Sequence, residues 1–183
     1  MIEIVGVSGS LRRESLNAAL LRAAAECMPN GAVLKIGTIK GIPLYDADVE
    51  AERGIPEPVA ELKEAIVAAH GLLLVTPEYN NSIPGVFKNA IDWLSRPSAD
   101  IPRVFHGRKV AMIGASPGGF GTLLSQTAWL PVLKTLGTQP WFGGRLQVSR
   151  AGEVFKDGQL VDERVREHLH KFLQGFVSFV TGD

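Results

Sequence analysis

Short, nearly continuous apolar runs alternate along this chain with longer stretches in which apolar positions return every three or four residues. The runs IEIVGVS (2–8), GLLLVT (71–76) and KVAMIGA (109–115) predict strands covered on both faces, and further strands are predicted at AVLKI (32–36) and within 138–148. Between them, Leu16, Ala19, Leu20, Ala23 and Cys27 share one helical face over 15–28, which places the cysteine in line with the core. A second helix follows from Val59, Leu62, Ile66 and Ala69. The last, over 161–180, aligns Val161, Val165, Leu169, Phe172, Phe176 and Val180, while Asp162, Glu163, Arg166 and Lys171 face away. The stretch GTIKGIPLYDADVEAERGIPEP (37–58) reads as irregular.

Five strands alternating with five helices predict an α/β fold: a doubly wound parallel sheet with right-handed crossovers, one domain over 1–183. Ligands of such sheets bind beyond the carboxyl ends of the strands, so the loops after the first, third and fourth strands are expected to converge.

Composition narrows the function. An apolar share of 45% fills one core, while 19 basic against 19 acidic residues leave no field to hold nucleic acid or an anionic membrane. The apolar runs fall far short of the roughly 18 residues that span a bilayer, and no signal segment opens the chain, so a cytoplasmic protein is expected. One cysteine allows no internal disulfide, and four scattered histidines form no zinc spacing, so no metal is called for.

The first loop offers Ser8, Gly9, Ser10, Arg12, Ser15 and Asn17 where a helix begins. A helix N-terminus presents unpaired N–H groups and partial positive charge, and an arginine fork can clamp two phosphate oxygens. A plain helix start also uses a capping serine, so the loop alone leaves both readings open. Neither G-x-x-x-x-G-K-[ST] nor G-x-G-x-x-G occurs here, which removes the main triphosphate and dinucleotide signatures.

The second loop, within TPEYNNSIPGVFKNAIDW (76–93), is expected to expose the backbone amides of Glu78, Tyr79 and Asn80 at the rim, donors of the kind a flavin edge needs. Tyr79 can pack or stack; Lys88, Asp92 and Trp93 read as structural. The third loop contains GASPG (114–118), a match to the hydrolase elbow G-x-S-x-G, followed by Asp157 or Asp162 and then His168 or His170 in triad order. The elbow needs the N–H of the residue after Ser116, and Pro117 has none. Gly118 and Gly119 can instead bring backbone close to a flat ligand.

GSLRRESLN, TPEYNNSIPGVFKNAIDW and SPGGFG, in that order, resemble the NAD(P)H-dependent FMN reductase family of flavodoxin-like proteins, which includes bacterial quinone, chromate and azo-dye reductases. The resemblance covers essentially the whole chain. It implies a three-layer α/β/α fold with a sheet in order 2-1-3-4-5, non-covalent FMN, and homodimers or homotetramers. By position, Ser8, Ser10, Leu11, Arg12, Ser15 and Asn17 would hold the FMN phosphate. Pro77, Glu78, Tyr79 and Asn80 would line the isoalloxazine, and Ser116, Pro117, Gly118 and Gly119 would close its other side. The implied reaction is ping-pong, from NAD(P)H to small oxidants, quinones foremost, without a catalytic side chain. The rivals are a flavodoxin-like electron carrier, which the balanced charge disfavours, and the Ser116 hydrolase.

Overall fold

The computed structural model describes residues 1–182. The elements are β1 (Ile2–Ser8), α1 (Leu16–Glu26), β2 (Ala32–Gly37), α2 (Ala47–Arg53), α3 (Glu57–Ala68), β3 (Gly71–Val75) and α4 (Gly85–Leu94). They continue with α5 (Ile101–Val104), β4 (Lys109–Ala115), α6 (Leu123–Thr135), β5 (Gln139–Pro140), β6 (Gln147–Val148), β7 (Phe155–Lys156), β8 (Gln159–Leu160) and α7 (Glu163–Thr181). The main sheet is parallel in the order β2-β1-β3-β4-β5, with β6 also on β4. This is the flavodoxin-like arrangement.

Strand alternation divides the core into two layers. Ile4, Leu73, Val75, Ala111 and Ile113 turn toward α1 and α7, where Leu20, Leu169, Phe172 and Phe176 bury. Val5, Val7, Leu72, Leu74 and Val110 turn the other way, onto Val59 and Ile66 of α3, Phe87 and Trp93 of α4 and Trp129 of α6. With both faces covered, all five residues of β3 are buried, which is why its sequence is a run rather than an alternation. Cys27 packs at the edge of the first layer, and burial pushes its thiol pKa up, keeping it protonated.

Several expectations need correcting. The fifth strand is broken: β5 and β6 each pair with β4, and Trp141 and Leu146 still bond to it, but 142–145 leave the ladder. The Trp141 indole packs edge-on to Phe172 at 4.9 Å, and a Cβ on Gly143 would come within 2.5 Å of it, so the chain must detour around the ring. The irregular stretch contains α2, capped by Asp46. Val161 lies outside the last helix and half-exposed, because Asp162 caps that helix by accepting from the N–H groups of Arg164 and Val165. An unpredicted hairpin, β7–β8, turns on Asp157 and Gly158 at φ 50° and 75°, the left-handed pair that an Asp-Gly turn favours.

Candidate functional site

The first loop runs from Ser8 to the start of α1. Gly9 donates its N–H to Val75 at 2.9 Å, and a Cβ there would fall 2.2 Å from the Phe87 ring, so only glycine lets this loop lie against α4. Ser15 caps α1 by accepting from Ala18 N–H at 3.1 Å. The N–H groups of Leu16 and Asn17 have no partner among the described residues, which leaves two donors and the positive end of an 11-residue helix facing outward. Arg12 forms no ion pair among the described residues. The Asn17 side chain does something the sequence did not indicate. Its amide donates to the Ala115 carbonyl at 2.8 Å while its carbonyl accepts the Ala115 N–H at 2.9 Å, so it clamps the first loop to the end of β4.

In the second loop, Tyr79 and Ser82 exchange N–H···O bonds of 3.1 and 3.0 Å around Asn80 and Asn81, both at positive φ. Asparagine tolerates that conformation, and the result is a tight two-residue turn. The expectation of three exposed amides is corrected here: the Tyr79 N–H is used in the turn, while those of Glu78 and Asn80 have no partner among the described residues. The Glu78 carboxylate accepts from the N–H groups of Leu124 and Ser125 at 2.9 and 3.0 Å, capping α6. The Tyr79 ring stays half-exposed and its hydroxyl donates to Ser10 Oγ at 3.4 Å, so the second loop reaches the first.

The third loop leaves β4 at Ala115. At Gly114 a Cβ would lie 2.1 Å from Thr122 Oγ1 and 2.3 Å from the Thr76 carbonyl, so close approach of the second and third loops depends on that glycine. Ser116 Oγ accepts the Gly118 N–H at 3.2 Å, which removes one of the two glycine donors; that of Gly119 has no partner among the described residues. No triad assembles around Ser116. His170 Nδ1 meets the Cys27 carbonyl at 2.8 Å, at the far end of α1, His168 is exposed on α7, Asp162 is a helix cap and Asp157 a turn residue.

Together the loops border one cleft: Ser10, Arg12 and Ser15 on one side, Pro77 and Tyr79 on the second, Ser116 and Pro117 on the third. Asn17 and Glu78 reach its wall as well. Asn80, Gly118 and Gly119 lie outside that wall, and Ser8 and Leu11 line a neighbouring groove instead. What sequence reasoning missed are the links between loops, Asn17 to Ala115 and Glu78 to α6, because each joins residues far apart in the chain. The available signal was a buried-looking amide and an acid next to β3, neither distinctive.

A parallel sheet in the order 2-1-3-4-5 defines a flavodoxin-like α/β protein, and at the carboxyl ends of β1, β3 and β4 it gathers backbone donors and an arginine that have no partner among the described residues. More narrowly, the chain belongs to the NADPH-dependent FMN reductase family, whose sequence profile matches residues 2–153. It is 41% identical to an NAD(P)H-dependent FMN reductase of Pseudomonas aeruginosa, over 98% of this chain and 95% of that protein. It is 37% identical to a 2-hydroxy-1,4-benzoquinone reductase of a Burkholderia species, over 98% and 96%. Among solved structures, the flavoenzyme NAD(P)H:(acceptor) oxidoreductase FerB of Paracoccus denitrificans matches with a TM-score of 0.87 at 31% identity, over 100% of this chain and 98% of that one.

Proposed function

We propose that this protein is an FMN-dependent NAD(P)H oxidoreductase that reduces quinones. The observation that carries the reading is where unpaired donors fall in the cleft. At one end are the N–H groups of Leu16 and Asn17, with Arg12 beside them; on the second side is that of Glu78, and those of Asn80 and Gly119 lie just beyond the wall. The first set suits a phosphate dianion and the second the polar edge of a flat heteroaromatic ring, so the residues present fit FMN. The chemistry supplied at the site when FMN is bound is hydride acceptance from NAD(P)H and delivery of two electrons to a quinone.

The protein's own part is position and polarity. Arg12, with the hydroxyls of Ser10 and Ser15, fixes the phosphate end, and the Asn17 clamp holds that loop in register with β4. Tyr79 presents an apolar ring beside the cleft and limits water there. None of the side chains bordering the cleft is arranged as an acid–base pair, so protons for the quinone come from solvent in this reading. Residues 1–183 act as one unit, since both core layers share one sheet. Exposed Leu11, Phe120, Leu123 and Leu124 near the rim support a homodimer or homotetramer. Among the described residues no helix is long and apolar enough to cross a membrane, and a cytoplasmic site of action follows from the need for reduced nicotinamide nucleotides.

The test is an absorbance spectrum of the purified protein and NAD(P)H oxidation with a benzoquinone. A flavin spectrum with turnover supports an enzyme. Flavin without turnover unless a separate reductase is added would mark an electron carrier, and a colourless protein that refuses micromolar FMN would end the proposal.

A further inference from the structure

The detour at 142–145 leaves a gap in the main sheet. On the side of β4 away from β3, the Val110 carbonyl accepts the Trp141 N–H at 2.8 Å, and the Gly114 N–H donates to the Leu146 carbonyl at 3.2 Å. Residues two apart on a strand aim their backbone groups the same way, so the N–H and C=O of Met112 point to this side too. Neither has a partner among the described residues. Backbone groups within a sheet are seldom left unpaired, and a donor beside an acceptor calls for a group that serves both.

Met112 lines a groove of about 240 Å³ between α6 and the detour. Drug-sized ligands begin at roughly 300 Å³, so this volume suits a single ring with its substituents. Leu130 of α6 and the Phe142 ring, 69% exposed, give the groove apolar walls. Arg145 stands beside them, exposed and without an ion pair among the described residues, and no carboxylate lines the groove there. The far wall is already fixed. The Gln126 amide donates to Thr122 Oγ1 at 3.0 Å and to the Leu146 carbonyl at 3.2 Å, and its own carbonyl accepts from the Gln147 amide at 3.4 Å, which ties the end of the detour to α6.

We propose that this groove binds a single-ring aromatic carboxylate that carries a hydroxyl, with the carboxylate on Arg145, the ring between Leu130 and Phe142, and the hydroxyl on the open backbone pair of Met112. A guanidinium fork matches the two carboxylate oxygens. A phenolic hydroxyl donates and accepts at once, which is what an N–H beside a C=O requires. An added peptide strand would need several open pairs in succession, and the bonds at Val110 and Gly114 close the edge on either side of Met112. The groove shares no lining residue with the cleft, so the proposal does not depend on the oxidoreductase reading.

The experiment titrates the whole chain, with and without saturating FMN, and has two readouts. In the first, calorimetry compares 3- and 4-hydroxybenzoate with benzoate, which lacks the hydroxyl, and with 4-hydroxybenzyl alcohol, which lacks the charge. The better hydroxybenzoate is expected to bind most tightly, and Arg145→Gln to lower its affinity about tenfold, the loss of one charge-assisted contact. Phe142→Ala is expected to weaken it as well; both side chains are exposed, so neither change threatens the fold. In the second, hydrogen exchange at the Met112 amide is expected to slow when the acid is bound. Affinity indifferent to Arg145, unchanged exchange at Met112, or displacement of the acid by FMN or a quinone overturns the proposal. So does absence of binding; if Phe142→Ala then also lowers the apparent mass on gel filtration, a second copy of the chain covers this face instead. A protein that refuses FMN but binds the acid overturns the oxidoreductase reading and leaves this one standing.

Discussion

On the flank where α2, α3 and α5 meet, charged groups face partners. Lys63, only 3% exposed, donates to Asp100 at 2.8 Å and to the Arg96 carbonyl; Arg96 pairs with Glu50 at 2.8 Å, and Arg103 with Glu64 at 2.9 Å. At the carboxyl rim, among the described residues, Arg12 has no counterion, the N–H groups of Leu16, Asn17, Glu78, Asn80 and Gly119 have no partner, and aromatic and aliphatic side chains are left in the open. The same kinds of residue are thus neutralised on the flank and left unsatisfied at the rim. A cation or amide without a partner is costly, and it persists at the rim because water can reach it until something better does.

The comparison breaks most completely at Gly114, which serves both the sheet and the cleft. Gly114→Val puts carbon against Thr122 and the Thr76 carbonyl, and is expected to cost about 3 kcal/mol and to weaken FMN binding, read by thermal unfolding and by flavin titration. If both readouts stayed unchanged, the packing of the two loops would not depend on glycine. Arg12→Ala sharpens the contrast. FMN affinity should fall about 10- to 100-fold, the worth of one charged hydrogen-bonding group, while the melting temperature of the flavin-free protein stays put. Retained affinity would remove Arg12 from the phosphate site.

Asp100→Asn is the mirror image. It leaves the nearly buried Lys63 ammonium short of its counterion and should cost about 2 kcal/mol of stability with no change in FMN affinity. The Lys63 ammonium holds the Asp100 carboxyl below its usual range, so its contribution is complete above the unfolded value near 4 and fades as the pH falls through the lower folded one. The variant should therefore differ from the parent at pH 7 and converge on it in strong acid; a constant gap in melting temperature across that range would contradict the pairing.

Much of the fold was legible because burial on both faces writes a run of apolar residues. The bounds read for β1 and β4 coincide with the structure for that reason. Where burial is absent the signal fails: α2 has no buried residue and so no stripe, only the Asp46 cap. The β7–β8 hairpin is two residues a side, too short for alternation, and Asp157-Gly158 was the sole clue. The loops of the site were readable from their glycines, prolines and serines, and their convergence from strand order. The use of each polar atom was not, because the Asn17 amide and the Glu78 carboxylate are committed to backbone 98 and 46 residues away.

Glu78 gives that last point a mechanical side. By holding the start of α6, with Thr76, Ser125 and Trp129 linked behind it through hydroxyl and indole bonds of 2.9 and 3.0 Å, it welds the second loop to the third. The loop after β1 is tied to that unit at both of its ends, by the Gly9 N–H on the Val75 carbonyl and by the Asn17 side chain on Ala115, so all three loops are braced against the same two strand ends, β3 and β4.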